Sequence, residues 1–342
     1  MLLNDIGVYA RIAPVDPDHT EELTMTDTPT TAAELFLITA ATGKTGTHTV
    51  RFLLGQGHRV RALVHRHDER SQRLRDLGAD VVEGDMLDFA AVSAAMVGIT
   101  GAYFCYPIHP GHLLEATTIF AQAATEAGIR NVVNMSQISA RREAVSHAAQ
   151  HHWLAERLLD RTTLMTTHLR PTFFAEWLTW YWVRNGDGGV LRLPFGNGRH
   201  APIAAVDQAR LIAAILPNPR PHDRQIYPLH GPEELDHDAI AAKMQQVLGY
   251  PVRYEPIEIP QFARALSAHG ATDFLVQHLS SVAVDYRNGI FAGTNNLIEV
   301  ITGTAPLTVE DFTAGVRDQL SSSGPFGVLD ELIDHHHAPL SR

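Results

Sequence analysis

The stretch Leu35-Phe36-Leu37-Ile38-Thr39-Ala40-Ala41-Thr42-Gly43-Lys44-Thr45-Gly46 constrains this chain more than any other. Four apolar residues predict a buried strand. Val50, Leu53 and Leu54, spaced i, i+3 and i+4, predict the inner face of a helix that follows. A tight turn between strand and helix is what a dinucleotide pyrophosphate needs: backbone N–H groups approach the phosphates, and the helix dipole favours their charge. Of the Gly-x-Gly-x-x-Gly spacing only Gly43 and Gly46 are present, and so short a pattern is common by chance. Its setting strengthens it, because Arg59-Val60-Arg61-Ala62-Leu63-Val64 supplies a second strand and completes a βαβ unit. Thr39, Thr42, Gly43, Lys44, Thr45 and Gly46 are therefore candidate cofactor-binding residues.

The second strand ends in His65-Arg66-His67. A site that prefers NAD(H) carries Asp or Glu here to accept hydrogen bonds from the ribose 2′-hydroxyl. A carboxylate repels a 2′-phosphate, whereas Arg66, helped by His65 and Lys44, attracts one. The expected cofactor is NADP(H), ahead of NAD(H).

Composition removes other classes. The chain has 342 residues and a formal charge of −11, which argues against general nucleic-acid binding. No apolar run reaches membrane-spanning length. A single cysteine, Cys105, excludes an intrachain disulfide and suits a reducing cytoplasm; within an apolar strand it reads as an inert core thiol. The expected partner is a small apolar or aromatic molecule, and nothing in the sequence fixes an oligomeric state. Residues 1–33 mix Pro, Asp and Thr without periodicity and read as a disordered N-terminal extension.

From residue 35, strands alternate with helices. Further strands are expected at 81–86, 101–106, 131–136 and 166–170, the last stopped by Pro171, with helices near 87–97, 112–128 and 145–161. That alternation gives an α/β, doubly wound parallel sheet, whose ligands sit beyond the carboxyl ends of the strands. We divide the chain into a dinucleotide-binding core at 34–171, a smaller, mostly helical substrate region with late strands at 172–320, and a tail at 321–342. After 171 the pattern loosens: the aromatic stretch 173–182, with 173, 177 and 180 on one helical face, is followed by the Gly/Pro-rich segment 185–199. Helices are expected at 207–216, 236–248, 260–268, 272–286 and 308–320, and strands at 225–229 and 252–256.

The chain resembles the NmrA-like family of atypical short-chain dehydrogenases/reductases over about residues 35 to 320. The likeness rests on Thr39-Ala40-Ala41-Thr42-Gly43-Lys44-Thr45-Gly46, on Val60-Arg61-Ala62-Leu63-Val64 with a base after it, and on Glu83-Gly84-Asp85. Leu169-Arg170-Pro171-Thr172-Phe173-Phe174 and Pro202-Ile203-Ala204-Ala205-Val206-Asp207 extend it. The resemblance implies a Rossmann fold holding NADP(H), with a C-terminal region shaping the substrate cleft; members include quinone reductases and redox-sensing regulators. Two departures stand out. Ala40 replaces the first glycine of the family's turn, which is tolerated if that backbone keeps φ below zero. No tyrosine has a lysine four residues later, so the Tyr-x-x-x-Lys pair of typical members is missing. Where the family often keeps a lysine four residues before a helical glutamate, His152 precedes Glu156.

His151 and His152 are candidate catalytic acids, since a histidine titrating near neutrality can deliver a proton after hydride transfer. His147 and His151 share a helical face, yet no third ligand accompanies them and no metal is expected. Tyr106 ends the fourth strand and is a further catalytic candidate, placed to stack on or hydrogen-bond the cofactor or to wall the cleft. Ser136 and Gln137 end the fifth, as cofactor and substrate contacts, and Asp85 and Met86 end the third, beside the adenine. Phe173, Phe174 and Trp177 are candidate walls of a slot for a flat substrate, although the 173, 177, 180 spacing is also that of a core-facing helix. The leading expectation is an NADP(H)-dependent oxidoreductase acting on a small carbonyl, quinone or enone. The alternatives are a non-redox cyclase or isomerase in a repurposed pocket, and an NADP(H)-sensing regulator.

Overall fold

A computed structural model describes residues 34–322; the expected N-terminal extension at 1–33 and nearly all of the 321–342 tail lie outside the described residues. The first half alternates strand and helix: β1 (Leu35–Ile38), α1 (Lys44–Gly55), β2 (Arg59–Val64), α2 (Glu69–Asp76), β3 (Asp80–Glu83), α3 (Phe89–Met96), β4 (Gly101–Phe104), α4 (His112–Glu126), β5 (Asn131–Met135), α5 (His147–Leu159) and β6 (Met165–Pro171). β1 and β4, at the centre of the sheet, are short, apolar and fully buried because helices cover both faces. Phe36, Ile38, Val60 and Val133 pack on one side of the sheet, and Leu37, Ala102, Phe104 and Val132 on the other.

The second half contributes α6 (Trp177–Trp180), β7 (Trp182–Asn185), β8 (Gly188–Leu193), β9 (Arg199–His200), α7 (Ala205–Ile215), β10 (Gln225–Leu229), β11 (Leu235–Asp236) and α8 (His237–Leu248). It continues through β12 (Val252–Pro256), α9 (Ile259–Ala268), α10 (Asp273–Arg287), α11 (Leu297–Thr302), α12 (Val309–Gly315) and α13 (Arg317–Ser322). The main sheet runs β10-β6-β5-β4-β1-β2-β3, every neighbouring pair parallel. Strand order reverses between β1 and β4, so the crevice for a ligand opens there. Strands β12-β8-β7 form a separate sheet.

Several expectations are corrected. The aromatic stretch is helical only over Trp177–Trp180: Phe174 bridges Ile203 in extended conformation, and Trp182 enters a strand. The 185–199 stretch is ordered, because Gly186, at φ +56°, turns the β7–β8 hairpin. Gly189 is flat against the Trp182 indole, where an added Cβ would sit 1.7 Å from the ring. The 308–320 run breaks into α12 and α13. Helix α2, ERSQRLRD, escaped notice because it has no apolar stripe; a reciprocal cap between Asp68 and Ser71 starts it instead.

Thr39 fastens the crevice floor. Its hydroxyl accepts from the Cys105 N–H at 2.8 Å and donates to the Cys105 carbonyl at 3.0 Å, joining the ends of β1 and β4. Fully buried, that hydroxyl serves the sheet, which corrects its expected place among the cofactor contacts. Thr39→Val keeps the shape and strands both Cys105 backbone groups; it is expected to cost about 2 kcal/mol, measured by urea denaturation.

Candidate functional site

The β1–α1 turn is closed by its own backbone. Gly43 donates to the Ala40 carbonyl at 3.0 Å. A Cβ on Gly46 would lie 2.3 Å from that same oxygen, so only glycine lets α1 begin this close to β1. Ala40 takes φ +47°, not the negative value that makes an alanine comfortable there. In a left-handed conformation its methyl group costs about 1 kcal/mol, and the chain carries that strain where the family has glycine.

Helix α1 starts at Gly43 with no side-chain cap and no acidic residue in its first turn. Side chains cap α2, α3, α5, α8, α10 and α12, whereas α1 shares its uncapped start with α4, α6, α9 and α11. No side chain caps the start of α1, and its dipole favours an anion there. Thr42 and Gly43 are half-buried, Thr45 and Gly46 are buried and Lys44 is exposed. Glu176 lies near Lys44: burial raises its pKa, the α7 N-terminus at Ala205 donates to it at 3.0 Å and lowers it, and the Lys44 charge lowers it further.

At the tip of β2, His65 and Arg66 are exposed, and among the described residues neither has a hydrogen-bond or ionic partner. The neighbouring charges are already engaged. Asp68 caps α2 and pairs with Arg70 at 2.8 Å, while the Glu83 carboxylate accepts from the His67 N–H at 2.9 Å. Arg66 is left without an ionic partner among the described residues, beside a loop whose carboxylates are engaged elsewhere. Asp85 accepts from the Leu87 N–H in a turn of its own, and Met86 packs on the core.

On the other side of the switch point, Tyr106 is half-buried. Burial, then the Asp85 and Glu115 carboxylates, push its pKa up to about 12, and its hydroxyl has no partner among the described residues. Ser136 is not free: it donates to Glu156 at 2.6 Å. Fully buried Glu156 is also gripped by Arg170 through two bonds of 2.8 and 2.5 Å, so Ser136 belongs to a buried ion-pair network, correcting its expected cofactor contact.

His152 lies at the junction of α5 and α10, only 6% exposed. Burial, then the neighbouring His278, lower its pKa to about 4, so it is neutral at pH 7. The protonated general acid expected from a histidine titrating near neutrality is corrected to a neutral ring able to hydrogen-bond. His151 is half-buried, its pKa lowered by burial and by His147, and its ring edges on Phe274. Among the described residues no group of three His, Cys, Asp or Glu could hold a metal ion.

Of the expected substrate walls, Phe173 is corrected. It is a core residue, 7% exposed and packed on Trp177, Phe195, Tyr286 and Phe291. Phe174, Trp177 and Gln137 are half-buried, and Trp180 joins Trp177 at 5.4 Å between rings. The sequence showed no sign of the Glu156–Arg170 and Arg141–Asp285 pairs, since their partners lie 14 and 144 residues apart.

Two outcomes follow. Ala40→Gly is expected to raise the melting temperature by about 2–4 °C, as relief of about 1 kcal/mol in a chain this long, read by differential scanning fluorimetry. His152 and His278 are both lowered to about 4 by burial. The unfolded chain therefore binds more protons between pH 6.5 and 4, and their contribution to stability is lost as pH falls through that window. Denaturation at pH 7 and pH 5 is expected to show the loss, and His278→Gln to reduce it.

Comparison with known proteins agrees with this geometry. Residues 33–287 match the NmrA-like family. The chain is 25% identical over 280 residues to an NAD(P)H azoreductase of Xenophilus azovorans, covering 81% of this chain and 96% of that protein. In fold it is similar to the NADPH-dependent quinone oxidoreductase QOR2 of Escherichia coli complexed with NADPH, with TM-score 0.72 and 22% identity, covering 82% and 99% of the two chains. It is also similar to NmrA, a negative transcriptional regulator solved with NADP, with TM-score 0.65 and 17% identity, covering 88% and 96%. With three quarters of its length matched, the chain belongs to the NmrA-like family.

Proposed function

We propose that this chain is an NADP(H)-dependent reductase of a small, flat, apolar electrophile, a quinone, carbonyl or enone. The observation that carries the reading is the pairing of an uncapped α1 N-terminus with an unpartnered Arg66 at the tip of β2. The first suits a pyrophosphate, the second a 2′-phosphate. The azoreductase and quinone reductase names of two relatives support the redox part.

When bound, the dinucleotide supplies a hydride; the chain positions it and excludes water. Tyr106, protonated at neutral pH, offers a hydrogen bond from the β4 exit, and neutral His152 offers one from α5. Half-buried Phe174 and Trp177 supply apolar surface for a planar acceptor. A second reading, a dinucleotide sensor, is favoured by the missing Tyr-x-x-x-Lys pair and by a histidine uncharged at neutral pH where the family often has lysine.

Titration with NADPH and NADH by fluorescence, followed by NADPH oxidation with a naphthoquinone, tests both. Arg66→Asp is expected to weaken NADPH about 10- to 100-fold, the worth of one charge-assisted pair, and to leave NADH nearly unchanged. Equal loss for both nucleotides overturns the 2′-phosphate assignment. Binding without turnover selects the sensor, and no binding at all leaves the non-redox pocket.

A further inference from the structure

Helix α10 is tied to the loop that leaves β5, at three places. Asp285, 6% exposed, accepts two bonds from the Arg141 guanidinium, at 2.8 and 2.6 Å. The Ser146 hydroxyl, which caps α5, bonds His278 at 2.7 Å. Gln277 donates to the Val145 carbonyl at 2.8 Å and accepts from the His147 N–H at 3.2 Å.

The first tie continues inward. Arg141 also donates to the Ser139 carbonyl at 3.1 Å. Fully buried Ser139 donates through its hydroxyl to the Gln137 side-chain oxygen at 2.8 Å. Gln137 stands two residues beyond β5, where Ile138 still pairs with Pro171 at the carboxyl edge of the sheet. Its amide nitrogen has no acceptor and is closed off from water. One end of this side chain is therefore fixed by a relay from α10, and the other is a donor without an acceptor, which a substrate oxygen reaches only when the half-buried β5 exit shifts to admit it.

We propose that Arg141 and Asp285 are a positioning pair: through Ser139 they set the Gln137 amide, and with it the β5 exit loop, for recognition of the substrate's acceptor oxygen. This rests on the reductase reading only in taking the substrate to lie beyond β5. The dinucleotide turn at β1 lies two strands away, and the pair does not act on it. A bidentate fork has a geometry that lysine cannot copy, so the pair distinguishes a directional role from a simple charge contact.

The test is a double-mutant cycle on the full chain, with wild type, Arg141→Met, Gln137→Leu and the double variant, plus Arg141→Lys. It reads NADPH dissociation constants, kcat and KM for a naphthoquinone, and naphthoquinone affinity by quenching of tryptophan fluorescence. Arg141→Met and Gln137→Leu are each expected to lower kcat/KM about tenfold, with NADPH affinity within twofold of wild type. The double variant is expected to be no worse than the poorer single, and Arg141→Lys to resemble Arg141→Met while melting near wild type. Additive losses, or NADPH affinity falling in step with kcat/KM, overturn the proposal and leave Arg141 a structural residue. If the wild type turns over no quinone, the reductase reading fails. The same non-additivity in naphthoquinone affinity then sustains the positioning pair, and its absence there overturns it.

Discussion

The contact on which the rest depends is the approach of the Ala40 carbonyl to Gly46, closer than any side chain permits. It lets α1 spring directly from β1, so the first N–H groups of the helix sit above the point where strand order reverses. A wider turn would carry those groups away from the crevice and remove the field that favours an anion there. Thr39 secures the same spot from below by lacing β1 to β4. The strain at Ala40 is tolerated because both neighbours hold the backbone in place.

Around that point the sheet lays out its functions by strand. On the proposed function, the loop after β2 takes the phosphate-bearing end of the dinucleotide, where exposed Arg66 has no carboxylate partner among the described residues. At the β5 and β6 ends the charged groups are bonded to one another, while the Gln137 amide nitrogen is left without an acceptor. Ser136, Glu156 and Arg170 neutralise one another in the interior, and this buried network orders the floor without offering charge to the cleft.

The core strands could be read in the sequence because parallel strands buried on both faces are short apolar runs bounded by turns, and β1, β2, β4 and β5 all have that form. What the sequence hid was structure with no periodic stripe. Helix α2 stands on a cap, and the β7–β8 hairpin on glycine geometry against Trp182. The site divides in the same way. Positions at strand ends were legible for Gly43, Arg66, Tyr106 and Gln137, since the sheet dictates which edge each occupies. Their partners were not: whether Ser136 is free or bonded depends on Glu156, and whether Phe173 lines a slot or a core depends on Tyr286 and Phe291. Such pairings are made by tertiary packing across long stretches of chain.

Strand β10 arrives late in the sequence yet pairs with β6 along five residues of the main sheet. A C-terminal half stitched into the central sheet in this way cannot swing off as a clamshell lobe, because opening would tear a parallel ladder. Any motion that leaves this ladder whole is confined to side chains and to the short segments between strands, over a frame that stays rigid.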